Sequence, residues 1–234
     1  MKLLIKLSGE SLCGPDGKGS QQYHEPTLER IAGQIKPLLE AGHRLLLVVG
    51  GGNLFRGQSL TKELAIDRPT ADYIGMLATV QNALVLRDYF ETKGIETRVS
   101  SAITMPQICE GYIPKRAERH LEKGRVVIFA AGLGVPYFTT DSTSVQRALE
   151  LNADLLVMAK NGVDGLYTAD PDKDDSATLI KTISASSVLE QDLRVADQSA
   201  IALAKEHGLP IKIVGVEDIA RALLPEVGST ITPD

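Results

Sequence analysis

The sequence predicts an α/β protein: a mainly parallel sheet held between layers of helix. Three observations carry this. Short apolar runs alternate with amphipathic helical stretches along the whole chain, the pattern of repeated strand–helix–strand units. The runs at residues 45–49 (LLLVV), 125–131 (RVVIFAA) and 155–159 (LLVMA) are almost continuously apolar, as strands covered on both faces must be. Three strands empty into glycine, at Gly9, at Gly50, Gly51 and Gly52, and at Gly132 and Gly134. In open α/β sheets ligands gather at the carboxyl ends of the strands.

The first strand, residues 3–7, is interrupted by Lys6 and runs into Ser8 and Gly9. Lys6 has two readings: an edge-strand lysine reaching water along its stem, or an ammonium aimed at a phosphate. Residues 14–20, GPDGKGS, form a polar glycine-rich loop whose spacing is not that of a Walker A loop. Residues 25–41 carry helix periodicity, with Leu28, Ile31, Ile35, Leu38 and Leu39 on one face, Pro26 in the first turn and Gly42 as the stop. The second strand, 45–49, opens into Gly50, Gly51, Gly52 and, four residues on, Arg56. Glycines let backbone N–H groups approach a ligand, and a guanidinium fork fits phosphate oxygens. The stretch is a candidate anion cradle, set against a tight turn with a solvated arginine.

An irregular connection over 60–69 leads to a long helix, 71–92, capped by Thr70, with Asp72 at its start. There a carboxylate favours the helix dipole or faces a ligand. Residues 97–101 read as a strand and 115–122 as a short helix. After the strand 125–131 come Tyr137, Phe138, Thr139, Thr140 and Asp141; Asp141 or Ser142 caps a helix over 144–151. A cap needs only one side chain, so this polar cluster suits a ligand. Strand 155–159 ends at Lys160. Residues 161–171, NGVDGLYTADP, are dense in turn signals and give a hairpin or loop, followed by a polar stretch to residue 177. Helices are expected over 184–190, 195–207 (Asp197 near its start) and 217–224, a strand over 211–214, and an edge strand over 229–232.

Composition narrows the class. A net charge of −5 argues against nonspecific nucleic-acid binding, which needs a basic face. The two cysteines, Cys13 and Cys109, form no C-x-x-C pair, so neither a disulfide framework nor a zinc site is expected. No apolar run approaches membrane-spanning length, and a cytoplasmic location is the expectation. The histidines (His24, His43, His120, His207) lack metal-ligand spacing. The polar residues at strand ends are Lys6, Ser8, Arg56, Thr139, Thr140, Asp141, Lys160 and Asp170. Amide-rich turns with cations and an aspartate suit phosphoryl transfer, which needs positioning and charge neutralisation more than covalent participation.

Five segments then converge: KLSGES (6–11), GGGNLFRG (50–57), ADYIGMLATVQN (71–82), PYFTTD (136–141) and VDGLYTADP (163–171). Together they resemble the bacterial uridylate kinases of the amino acid kinase superfamily, in register along nearly the whole chain. The resemblance implies one domain over 1–234 with a three-layer αβα sandwich, ATP-dependent phosphorylation of UMP to UDP with Mg2+, and a homohexamer built from dimers, the long helix 71–92 being a candidate dimer face. It implies that Lys6, with Leu7, Ser8 and Gly9, holds ATP phosphates, Lys6 stabilising charge on the transferred group. Gly52 contacts ATP, and Arg56 bridges phosphates near the transfer point. Asn161, Tyr167 and Asp170 contact the adenine nucleotide. Gly51 contacts UMP, Asp72 binds its ribose, and Leu133, Gly134, Val135, Pro136, Tyr137, Phe138, Thr139 and Thr140 line its pocket. Asp141 orients phosphate-binding groups or magnesium, and Asp197 stands close behind.

Two departures from the family pattern stand out. Leu133, Gly134, Val135 and Pro136 occupy the place of a usual Thr-Gly-Asn-Pro, removing two polar side chains near the uracil. Residues 17–26, GKGSQQYHEP, replace a Gly-Ile-Asp-like segment associated with regulation in the family. Two other readings compete: an amino acid kinase acting on a carboxylate or carbamate, and a kinase-fold nucleotide-binding storage or regulatory protein. Asp72 and FTTD argue against the first, and the set Lys6, Arg56, Asp141 and Asp170 against the second.

Overall fold

The computed structural model describes residues 1–14, 22–55, 65–169, 173–174, 176–193 and 195–234. The expectations for Arg56, Asp170, the loop over 15–20, the 60–64 part of the connection and most of the 170–175 stretch fall outside the described residues.

The chain builds a three-layer αβα structure. Strands β1 (Lys2–Leu7), β2 (Arg44–Val49), β3 (Thr97–Ser101), β4 (Glu110–Gly111), β5 (Val126–Ala130), β6 (Leu155–Lys160), β9 (Thr182–Ser184), β10 (Ile211–Gly215) and β11 (Ser229–Thr232) form one sheet, in the order β4-β3-β5-β2-β1-β6-β10-β11-β9. Pairing is parallel from β4 to β10; β11 runs antiparallel to β10 and parallel to β9. The stretch 161–171, expected as a hairpin or loop, contributes one strand, β7 (Leu166–Tyr167), whose antiparallel partner β8 (Leu179–Ile180) lies beyond the polar stretch that follows.

Alternation of side chains along each strand divides the core into two layers. Leu3, Ile5, Leu7, Leu45, Leu47, Val49, Val126, Ile128, Val157 and Ala159 face one side, where they meet α1 (Glu25–Glu40), α2 (Arg68–Thr92) and the 3-10 turn Val216–Arg221. Leu4, Leu46, Val48, Val127, Phe129, Leu156 and Met158 face the other, against α3 (Pro114–Glu122), α4 (Thr140–Glu150), α5 (Ala185–Glu190) and α6 (Gln198–Glu206). Lys6 belongs to the second face by parity, opposite Val48 and Met158.

Several expectations are corrected. Lys6 is not on an edge strand: β1 is flanked by β2 and β6, and the residue is 8% exposed. The long helix starts at Arg68, with Asp67 rather than Thr70 at its N-cap position and no side-chain cap bond, because Pro at the first positions already suits a helix start. Thr139, not Asp141 or Ser142, caps α4, its hydroxyl accepting the Asp141 N–H at 3.1 Å. The helix expected over 195–207 begins only at Gln198, and the 217–224 segment is a 3-10 turn. β11 is interior, because β9 pairs on its outer side. β4 and β9, too short for a periodicity signal, were not anticipated.

Adjacent, in-register β1 and β2 bring their glycine turns together. Gly50 N–H donates to the Leu7 carbonyl at 2.9 Å. A Cβ on Gly9 would lie 2.6 Å from both the Asn53 side-chain oxygen and the Gly52 nitrogen, and 2.8 Å from the Gly50 carbonyl. Gly9→Ala is therefore expected to pry the turns apart and lower stability by about 1–3 kcal/mol, the cost of overpacking; an unchanged denaturant midpoint would show that the turns separate freely.

Candidate active site

The sheet order places β1 between the strands that border two cavities. The first, about 610 Å3, lies over the ends of β2 and β5 and the start of α2. Gly51, Asp72, Leu133, Val135, Phe138, Thr139 and Thr140, expected together from the sequence, line it; so does Gly52, expected on the ATP side but sharing this wall with the adjacent Gly51, and so do Glu10, Phe55, Met76, Thr79 and Thr143, for which the sequence gives no signal. Gly134, Pro136 and Tyr137 do not line it. Gly134 packs its backbone against Ala102, and Tyr137 lies outside with its ring under the Arg68 guanidinium at 5.5 Å. The second cavity, about 620 Å3, is lined by Lys160, Gly165, Leu166, Tyr167, Thr168, Leu193, Val195 and Ile213, among others. Tyr167 was anticipated there; Asn161 is exposed and does not line it. A smaller hollow bordered by Asp141, Lys160, Asp192, Val195 and Asp197 shares residues with the second cavity.

Between them lies a cluster of charge. Lys6 Nζ sits 3.0 Å from Asp141 Oδ1, both side chains largely buried. That oxygen receives no aligned hydrogen bond, so it keeps acceptor capacity beyond the ion pair. Asp141 Oδ2 accepts the Asp197 N–H at 3.2 Å, and the Thr139 hydroxyl donates to the Asp197 carboxylate. Lys160 Nζ donates to the Val195 carbonyl at 2.5 Å. Burial alone would raise the Asp141 carboxyl, but the charges of Lys6 and Lys160, the close approach of the Lys6 ammonium and the hydrogen bond from the Asp197 amide outweigh it and hold it below its ordinary range. Burial and the neighbouring Lys6 push Lys160 down, against the attraction of Asp141 and Asp197. The ammonium groups of Lys6 and Lys160 thus share one cluster with the carboxylates of Asp141 and Asp197.

The glycine turns are held from behind. Asn82, fully buried on α2, donates to the Gly50 carbonyl and to Asn53 Oδ1, both at 2.7 Å, and its oxygen accepts from Tyr23 at 2.9 Å and Asn53 at 3.2 Å. Every polar atom of that amide is satisfied, as burial requires. Gly51 backs onto α2 so closely that a Cβ would stand 2.8 Å from Ala78 Cβ. Ser8 spends its hydroxyl on Ser11, capping the 3-10 turn Gly9–Leu12, and Leu7 turns its side chain into the core. What these residues offer a ligand is backbone. Asp72 is engaged twice: Arg68 Nε donates to both its oxygens at 2.7 and 2.8 Å, and the Tyr137 N–H donates to Oδ2 at 2.8 Å.

Asp141 carries a pH signature. Its folded value lies below the ordinary 3.8, so its contribution to stability is fully present above that pH and is lost as the pH falls through the lower folded value. Asp141→Asn is expected to remove this part of the acid limb in a denaturation series between about pH 2 and pH 6; superimposable acid limbs would contradict the assignment.

The comparisons with known proteins agree with this geometry. Residues 1–215 match the amino acid kinase family. The chain is 48% identical over 236 residues to a uridylate kinase of Paenarthrobacter aurescens, covering 99% of this chain and 94% of that one. It is 49% identical over 222 residues to a uridylate kinase of Tropheryma whipplei, covering 95% and 94%. A crystal structure of UMP kinase from Bacillus anthracis superposes with a TM-score of 0.92 at 39% identity, covering 100% of this chain and 96% of that one. One from Ureaplasma parvum gives 0.91 at 32%, covering 99% and 98%. With its glycine turns, its buried lysine–aspartate pair and these likenesses at full length, the chain belongs to the uridylate kinases of the amino acid kinase family.

Proposed function

We propose that the protein transfers the γ-phosphoryl group of ATP to UMP, giving UDP and ADP for the synthesis of UTP and CTP. The observation that carries this is the amino end of α4. Thr139 and Thr140 line the first cavity while Asp141, the next residue, faces the hollow beside the second. One helix terminus, with its partial positive charge, thus borders both sides of the Lys6–Asp141 pair.

UMP occupies the first cavity, where Asp72 faces the ribose and Leu133, Val135 and Phe138 enclose the base. ATP occupies the second, its adenine beside Tyr167 and its phosphates running past Lys160 to Lys6. Asn161 and Asp170 are assigned to the adenine nucleotide, and Arg56 to the phosphates, on the family resemblance alone. An oxygen of the UMP phosphate attacks the γ-phosphorus, and the bond to the β–γ bridging oxygen breaks, leaving ADP. The second pKa of a phosphate monoester is about 6, so the acceptor is already mostly a dianion near neutral pH and no general base is needed. Lys6 follows the moving phosphoryl group and offsets charge on its oxygens, and Lys160 does so on the donor side. Asp141 keeps the Lys6 ammonium oriented, the Val195 carbonyl holds that of Lys160, and Asp197 holds Asp141 through its backbone N–H.

Mg2+ is the expected companion of ATP and, when bound, neutralises phosphate charge. Asp141 Oδ1, buried and lacking an aligned donor, is the kind of hard oxygen such an ion takes. Among the described residues no cluster of three or more acidic, histidine or cysteine side chains could hold a metal. The unit is one domain over residues 1–234. Exposed Tyr73 and Leu77 on α2 favour assembly through that helix, toward the hexamer of the family. A cytoplasmic location accompanies this reading, with neither nucleic acid nor membrane as a partner; among the described residues no helix is long and apolar enough to cross a membrane.

A coupled assay with magnesium and ATP, offering UMP, CMP, dUMP and acetylglutamate one at a time, tests the proposal. Turnover is expected with UMP, and Lys6→Ala is expected to lower kcat by about 10²–10³ with little change in the KM for UMP. Acetylglutamate turnover, or tight ATP binding with no turnover at all, would move the assignment to another amino acid kinase or to a binding protein.

A further inference from the structure

Arg147 is a buried cation that the chemistry above does not use. It projects from the last turn of α4 and is 6% exposed. Its guanidinium lies 3.9 Å from the centroid of the Tyr112 ring and 6.0 Å from that of Phe129. One arm donates to Glu150 Oε2 at 2.6 Å. The same oxygen accepts the Tyr112 hydroxyl at 2.5 Å, and Gln146 donates to Oε1 at 2.9 Å. The other arm leaves this cluster and donates to the Gly132 carbonyl at 3.3 Å.

Gly132 lines the first cavity, in a segment with unusual backbone. Ala131, Gly132, Gly134 and Tyr137 have φ of 60°, 57°, 78° and 71°. Left-handed Ala131 and Tyr137 carry a steric penalty that surrounding contacts must hold in place. Three side chains supply them. Thr79 Oγ1 accepts the Ala131 N–H at 2.8 Å, Asp72 accepts the Tyr137 N–H at 2.8 Å, and Arg147 grips the carbonyl between. Leu133 and Val135 follow directly and have no polar atoms with which to read a base. Along this stretch of the cavity wall a base can be read only by backbone groups, whose position these clamps fix. A methionine would fill the same core volume without desolvating a charge, so packing alone does not call for arginine.

We propose that Arg147 is a positioning residue for acceptor recognition: seated by Glu150 and the Tyr112 ring, it holds the loop over 131–137 through the Gly132 carbonyl and so sets affinity and selectivity for the nucleotide base. The inference rests on the reading of the first cavity as the UMP site. Wild type, Arg147→Met, Arg147→Lys and Tyr112→Phe are to be compared by steady-state kinetics with UMP and CMP at saturating ATP, and with ATP at saturating UMP. Arg147→Met is expected to raise the KM for UMP about tenfold, the scale of one charge-assisted hydrogen bond, while the KM for ATP stays within about twofold. The preference for UMP over CMP should fall. Arg147→Lys should recover part of the loss, and Tyr112→Phe should shift the UMP KM in the same direction by less. A fall in kcat with both KM values unchanged assigns Arg147 to core packing and overturns the proposal. If Arg147→Met does not fold, Arg147→Lys decides: a raised UMP KM supports the proposal, and a wild-type value overturns it. Should the wild type use a different acceptor, the UMP reading fails, and the same split is read with that acceptor; the two failures stay separate.

Discussion

The pair Lys6–Asp141 is the constraint around which the rest of the molecule is arranged. A buried lysine near the carboxyl end of a central strand is a costly residue, since taking an ammonium out of water exacts several kcal/mol unless it is paired. Asp141 meets it at 3.0 Å from the first turn of α4, and the Asp197 N–H holds its other carboxylate oxygen, Asp197 being fixed in turn by the Thr139 hydroxyl. A Leu–Leu contact would suit the stability of the core better. What the pair gives instead is charge fixed in place before any ligand arrives, so that little reorganisation is required when a phosphoryl group passes. The depressed Lys160 nearby has the same origin: burial beside another ammonium disfavours its charge, and a phosphate would restore it.

Such a centre works only if donor and acceptor reach it from opposite sides, and the topology arranges this. β1 lies between β2 and β6, so its carboxyl end emerges between the cavity over β2 and β5 and the cavity over β6 and β10. The glycines of the first two turns let the backbones that follow β1 and β2 pack within contact. Asn82 braces this from α2, and Arg147 braces the loop after β5 from α4. The site is thus shaped by buried polar side chains on the two helices that flank the sheet.

Much of this was legible in the sequence, for identifiable reasons. Leu45 to Val49 and their counterparts in β5 and β6 are apolar on both faces, so the parallel sheet and its helical layers could be read from local pattern alone. Lys6, Thr139, Thr140 and Asp141 were visible because polar groups at strand ends break that pattern, whereas Asp72, at a helix start, stood out only through the family resemblance. What was not legible depends on contacts distant in sequence. The interior placement of β11 requires knowing that β9 pairs beyond it. The choice of Thr139 over Asp141 as the cap follows from Asp141 being drawn to Lys6, 135 positions earlier in the chain. Lys160 was noted only as a strand-end cation, because its proximity to Asp141 is a product of strand order. Arg147 gave no signal, since an arginine near the end of a helix is what the helix dipole would favour anyway.

The central claim is direct transfer between two nucleotides held on either side of Lys6, with no protein-bound phosphate between them. The stereochemical course at phosphorus tests it most directly. ATP chiral at the γ-phosphorus, made with sulfur and oxygen isotopes, would be turned over with UMP and the configuration of the product determined. A single in-line displacement predicts inversion; retention would require two displacements and a phosphorylated residue, and would contradict the account.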